Sequence, residues 1–403
     1  MRERSTAPPP CCAGRKGAEE VENKLRGKSA IVGTGHAGFG EAPGLTAYDI
    51  MAQAGLAALA DAQLKLSDVD GLFCTMMEDS MPALMAAEYL GIRPRFVEGT
   101  MTGGSSFVNY ITAATMALTA GLCDVALIVY GSNQRSGSGK LVTASRPPPY
   151  EQIYRPRYPI SAYALAAARH MHEFGTTREQ LADVAVAARA WAQHNPEAFA
   201  RGDLTREDVL AARMVSDPLT VRDCCLVTDG GGAIVMVRSE RARDFPKPPV
   251  YVLGSAAEST HRQISQMPDF TVTAARESGA RAFAAAGVTP SDIDVVELYD
   301  AFTINTILFL EDLGFCEKGE GGAFVEGGRI APGGELPVNT NGGGLSCVHP
   351  GMYGIFTVIE ATRQIRGDAP GLQIANIDLA LAHGNGGTLS SQVTAILGSE
   401  NTL

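Results

Sequence analysis

Residues 55–74, GLAALADAQLKLSDVDGLFC, align without a gap on the first 20 residues of 279–299, GARAFAAAGVTPSDIDVVELY, placing Ser67-Asp68 over Ser291-Asp292. In each copy an alanine-rich helical stretch gives way to a Ser-Asp turn and then to a short apolar run of strand length. Outward from this pair the order of elements repeats as well. A strand ending in glycines, Ser29-Ala-Ile-Val-Gly-Thr-Gly35, and a helix that Thr46 can cap stand before the first Ser-Asp turn. After the first copy come a helix (MPALMAAEYLGI), a strand (RFVEG), a long helix from about Gly104 to Ala120 and the strand DVALIVYGS. After the second come a helix (FTINTILFLEDLGF), a strand (LPVNT), a glycine-rich turn, a helix to about Arg366 and the strand IDLALAHG. Asp124-Val-Ala-Leu and Asp378-Leu-Ala-Leu are counterparts. Such alternation indicates a layered α/β fold with a buried sheet. Agreement at so many consecutive steps indicates a domain duplication, not a solenoid: two homologous halves, residues 28–245 and 246–403, fused face to face.

The first half is longer by an insertion, residues 132–223. It opens on a loop rich in Gly, Ser and Pro and continues with helices around Ala162–Phe174 and Glu179–His194. Insertions of this length usually cover an active site or hold the large part of a substrate. Its basic residues Lys140, Arg146, Arg155 and Arg157 are candidates for phosphate contacts. Residues 1–27, polar and without an apolar core segment, read as a disordered leader and not as a signal peptide.

Composition narrows the function classes. A formal net charge of −11 argues against nucleic acid as the main partner. A hydrophobic content of 45% is enough to bury a sizeable core. No run of 18 or more apolar residues occurs, so no membrane span is expected. The eight cysteines form no CxxC pair and no metal-ligand spacing with the seven histidines. They read as buried free thiols of a cytoplasmic protein that binds no metal.

Four motifs carry a resemblance. Asp217-Pro-Leu-Thr-Val-Arg-Asp-Cys-Cys-Leu-Val-Thr-Asp-Gly230 closes the insertion; Tyr299-Asp300-Ala301-Phe302 follows a predicted strand. Asn339-Thr-Asn-Gly-Gly-Gly-Leu-Ser-Cys-Val-His349-Pro-Gly351 leads into a helix, and His383-Gly-Asn-Gly-Gly387 ends the last predicted strand pattern. Together with the duplication and the insertion they resemble the thiolase superfamily, nearest its sterol-carrier-type branch, from about Lys28 to Leu397. The resemblance implies a thiolase-like fold, two duplicated βαβαβ halves in a five-layered αβαβα arrangement. It implies a homodimer formed through first-half strands, and no tightly bound cofactor, with a coenzyme A thioester as substrate.

The resemblance also assigns candidate roles. Tyr299 stands where the family holds a thioester oxygen, and His349 where its histidine donates to that oxygen. His383 takes the place of a second acid/base, and Asp300 belongs to the Tyr-Asp-x-Phe motif. Gly343, Gly344, Asn385 and Gly386 supply glycine-turn contacts to the coenzyme A thioester. The family's nucleophilic cysteine heads the long helix of the first half. Here that position falls on Gly104, within Gly103-Gly104-Ser105-Ser106, and no cysteine lies between Cys74 and Cys123. The chain thus resembles the cysteine-less steroid side-chain aldolases of the superfamily, which carry tyrosine where this sequence has His349 and act with a small OB-fold and zinc-ribbon partner. The expected chemistry is retro-aldol cleavage of a β-hydroxyacyl-CoA. The alternatives are an acyl-CoA acyltransferase using Ser105 or Ser106, and a non-catalytic acyl-CoA or lipid-binding protein.

Overall fold

The computed structural model describes residues 24–77, 79–138 and 147–403; Lys140, Arg146 and most of the expected leader lie outside the described residues. Ordered contacts start before Lys28. Arg26 donates through Nε to Ala286 O at 2.9 Å and through a terminal nitrogen to Thr402 O at 2.6 Å.

The first half runs β1 (Ser29–Gly40), α1 (Ala47–Asp61), β2 (Gly71–Cys74), α2 (Pro82–Leu90), β3 (Phe96–Glu98), α3 (Ser106–Thr119) and β4 (Ala126–Ser132). Thr46 caps α1 in a reciprocal box with Asp49, satisfying donors that a helix start leaves free. The insertion contributes α4 (Ile160–Phe174), α5 (Arg178–His194) and a ribbon of β5 (Met214–Ser216) and β6 (Leu219–Thr220) before β7 (Asp229–Arg238) returns to the sheet. The second half runs β8 (Val250–Ser259), α6 (Ala275–Ala286), β9 (Val295–Leu298), α7 (Thr303–Asp312), α8 (Gly354–Arg366), β10 (Leu379–Gly386) and β11 (Ser391–Gly398).

The strand order is β3-β2-β4-β7-β1-β8-β11-β10-β9, so the two halves occupy opposite ends of one sheet. Within this sheet, among the described residues, they join through β1 and β8, at Ala30–Tyr251 and Ile31–Val250. Helix α1 packs on β1, β4 and β7, and α6 packs on β8 and β11. Helices α3 and α8 touch each other and strands of both halves, completing the five layers. The alanine-rich character of α1 and α6 follows from how closely they approach. A Cβ on Gly33 would lie 2.3 Å from Ala58 O, and one on Gly254 would lie 2.3 Å from Ala282 O.

The duplication reaches individual hydrogen bonds. Asp70 Oδ1 accepts from the backbone N–H groups of Asp124 and Val125, and Asp294 Oδ2 from those of Asp378 and Leu379. The halves diverge at β3. Its expected counterpart, LPVNT, is reduced to one parallel bridge between Val296 and Val338. Asn339 there turns to φ 53° and gives its side-chain oxygen to Leu298 N–H, which ends strand pairing.

Candidate functional site

At the head of α3 the backbone turns through Gly103, at φ 81°, and Gly104. Both press against other segments. A Cβ on Gly103 would lie 2.7 Å from Gly387 N, and one on Gly104 would lie 2.1 Å from Tyr299 Cε2 and 2.8 Å from its hydroxyl. The Tyr299 ring therefore fills the volume that any side chain at position 104 would enter. Ser105 Oγ lies within 3.1 Å of Thr102 O, Thr102 Oγ1 and Ser391 Oγ, while Ser106 Oγ accepts from Thr102 N–H at 2.8 Å. Among the described residues neither serine hydrogen-bonds an imidazole or carboxylate, so both hold the turn before α3 and neither is activated as a nucleophile.

Tyr299 follows β9 and is buried, its hydroxyl 3.3 Å from Gly351 O and its backbone N–H bonded to His383 O. Burial holds its phenol protonated, far above the ordinary tyrosine range. The His349 ring stands edge to face with Tyr299 at 5.6 Å and stacks on Tyr353 at 6.2 Å. The backbone around His349 is pinned: its N–H donates to Thr228 Oγ1 at 2.9 Å, and its carbonyl accepts from Gln134 Nε2 at 2.7 Å. Its two ring nitrogens, by contrast, are buried without a hydrogen-bond partner among the described residues. Such groups cost free energy unless something completes them, which marks this spot for a ligand or water. Burial lowers the His349 pKa to about 4, so the ring is neutral near pH 7 and can accept a proton.

His383 was expected to move protons, but Nδ1 lies 2.9 Å from Thr394 Oγ1 and Nε2 lies 2.9 Å from Gln392 Oε1. It sits on the opposite face of β10 from Gly384, whose added Cβ would meet Ser105 and Val108. Both of its ring nitrogens are paired and the ring is turned from α3, so it holds no free nitrogen toward that helix. Asp300 anchors the glycine turn, accepting from Gly344 N–H at 2.6 Å and Leu345 N–H at 3.3 Å. Burial raises its carboxyl to about 7, opposed by those N–H groups.

The expected ligand glycines are likewise committed internally. Gly343 N–H donates to Asn341 Oδ1 and Gly344 N–H to Asp300, while a Cβ on Gly386 would lie 1.7 Å from Thr102 O. Asn385 donates to the Tyr163 hydroxyl and accepts from Gln392 Nε2. Arg155 and Arg157 are exposed. Tyr353, buried with its hydroxyl 3.0 Å from Asn341 Oδ1, went unread, although Met352-Tyr353 follows directly on the His349-Pro-Gly signal. Tyr163 in the insertion carried no sequence signal. The structure thus brings Gly104, Tyr299 and His349 together, and Tyr353 with them.

The Thiolase C-terminal domain-like family matches residues 256–399. The chain is 34% identical over 380 residues to the acetyl-CoA acetyltransferase of Methanothermobacter thermautotrophicus, covering 89% of this chain and 96% of that one. It is 35% identical over 365 residues to the steroid side-chain-cleaving aldolase of Thermomonospora curvata, covering 85% and 91%. Among solved structures, the Ltp2-ChsH2(DUF35) aldolase superposes with a TM-score of 0.85 at 34% identity, over 94% of this chain and 100% of that one.

Proposed function

The chain belongs to the thiolase superfamily, and from that premise we propose that it cleaves a β-hydroxyacyl-CoA by a retro-aldol reaction without an acyl-enzyme. The observation that carries this reading is the Tyr299 ring in the side-chain space of position 104. A nucleophile there is sterically replaced by a protonated phenol. In the proposed reaction the neutral His349 ring takes the β-hydroxyl proton. The O–H electron pair forms the carbonyl of the leaving ketone or aldehyde, and the Cα–Cβ bond breaks. Its electrons pass to the thioester oxygen as an enolate, which the Tyr299 hydroxyl stabilises as a donor. Protonation at Cα then yields the shortened acyl-CoA. The names of the 35%-identical aldolase and the similar aldolase structure support this class of reaction.

Incubation with a β-hydroxyacyl-CoA, followed by mass spectrometry of products and intact protein, tests the proposal. It expects a carbonyl product, a shortened acyl-CoA and no protein adduct. A covalent acyl adduct would instead establish an acyltransferase, the activity named for the Methanothermobacter relative.

Three further assignments belong to the same reading. A partner of the DUF35 kind, named in the similar aldolase structure, is the expected small companion protein. A homodimer through first-half strands fits β3, which lies at the sheet edge with Val97 exposed beside exposed Met81, Leu84, Met85 and Tyr89. A cytoplasmic location fits the free thiols of the six described cysteines.

A further inference from the structure

Tyr163, on α4, ends a buried hydrogen-bond chain that crosses the second half of the sheet. Ser278 Oγ and Thr394 Oγ1 lie 3.0 Å apart, Thr394 Oγ1 lies 2.9 Å from His383 Nδ1, and His383 Nε2 lies 2.9 Å from Gln392 Oε1. Gln392 Nε2 then donates to Asn385 Oδ1 at 2.8 Å, and Asn385 Nδ2 donates to the Tyr163 hydroxyl oxygen at 2.8 Å. The Gln392 carbonyl facing His383 Nε2 fixes the ring proton there, so Nδ1 accepts from Thr394. From Thr394 onward every donor along the chain points the same way. The Tyr163 oxygen accepts there, and its own proton goes to Gly387 O at 3.4 Å, a bond close to the length limit and therefore readily exchanged for a better acceptor. A one-directional chain polarises its terminal O–H and strengthens it as a donor.

That proton lies beside the Tyr299 site. The Tyr163 ring stacks on Phe302 at 4.3 Å, three residues beyond Tyr299, and Gly387 abuts the Gly103 turn. Burial pushes the Tyr163 phenol up to about 12, opposed by the Asn385 amide, so it stays a donor near neutrality.

We propose that Tyr163 is a second hydrogen-bond donor to the thioester oxygen, paired with Tyr299, and that Asn385, Gln392 and His383 are positioning residues that orient its proton. This rests on the reading of the chain as an enolate-forming acyl-CoA enzyme. The insertion then contributes to the chemistry as well as to enclosure, and His383 acts through the relay, with no proton transfer of its own.

Tyr163→Phe tests the proposal through two readouts: cleavage of a β-hydroxyacyl-CoA, and exchange of the α-protons of propionyl-CoA with D2O followed by mass spectrometry. In the exchange His349 takes an α-proton, the C–H electrons move to the thioester oxygen, and a deuteron returns to carbon. Both rates are expected to fall about 100-fold, with KM changed by less than about threefold, the pattern of a donor that acts mainly in the transition state. Asn385→Leu, which cuts the relay and keeps the phenol, should slow exchange about tenfold. Wild-type exchange in folded Tyr163→Phe overturns the inference and leaves the cleavage reading intact. Exchange lost in Tyr163→Phe, when the wild type cleaves nothing, sustains the donor role and sinks the aldolase reading; a wild type without exchange overturns both. If Tyr163→Phe does not fold, unchanged exchange in Asn385→Leu overturns the inference.

Discussion

His349 and His383 have been shifted alike and employed differently. Burial brings each from the ordinary 6.5 to about 4, yet only His349 keeps both ring nitrogens free. His349→Ala should therefore lower kcat by roughly 100-fold, the scale for losing an acid/base group, without unfolding the chain. Tyr299→Phe should do the same, whereas Ser105→Ala should leave cleavage within about twofold, as befits a residue outside the proton transfers. Steady-state kinetics on a β-hydroxyacyl-CoA decides, and a fully active His349→Ala would remove the proposed base. The shared shift also predicts a stability profile. Between pH 6.5 and about 4 the unfolded chain takes up protons at these two positions that the folded chain refuses. Their contribution is fully present above pH 6.5 and is lost as pH falls through that window, on the order of 3 kcal/mol for each histidine. Urea unfolding at pH 7 and pH 4.5 measures it; equal midpoints from these groups, tested with His383→Gln as reference, would contradict it.

At the scale of elements, the turn before α3 explains why the lost nucleophile cannot simply be restored. In Gly104→Cys the new Cβ collides with Tyr299 at 2.1 Å, so the ring must move before a thiol can enter. The variant should lose cleavage and still form no acyl adduct, and Gly104→Cys combined with Tyr299→Ala should recover a correctly placed thiol that iodoacetamide can alkylate. Intact-protein mass spectrometry reads both. Much of this level was legible beforehand. The ungapped repeat placed β2 and β9, and the motif register put Tyr299 and His349 at element ends. Two features were not. LPVNT has strand composition, but Asn339 takes a left-handed conformation whose side chain serves Leu298, a tertiary demand that local propensity does not record. The orientation of His383 was encoded weakly, in the small residues Ala380, Ala382, Gly384 and Gly386 that alternate with it and mark the face against α3. Tyr163 reaches Asn385 from 222 positions away, and no periodicity carries such information.

For the whole molecule, the duplication makes the halves alike in topology and unlike at their edges. At one end of the sheet β3 has a single hydrogen-bonded neighbour, β2, and presents Val97 to solvent; at the other, β9 is flanked by the bridge to Val338. An open strand edge with exposed methionines beside it on α2 is a surface that natural proteins usually cover, because unpaired backbone groups invite a second chain. The proposed two-fold pairing would cover it with the same surface from another copy, in a self-complementary interface. Light scattering should accordingly give twice the mass of the chain. Val97→Lys would place two like charges across the axis, and together with Met85→Lys should yield a monomer at micromolar concentration. The consequence for activity separates this surface from the site. Tyr299 and His349 belong to the second half, Gly104 lies at the head of α3, and all three sit within one chain. The monomeric variant should therefore keep α-proton exchange within about tenfold of the dimer, a loss confined to the mobility of the α3 turn. A dimer that persists in the double variant would place the interface elsewhere, and a monomer with no exchange at all would mean that the partner copy completes the site.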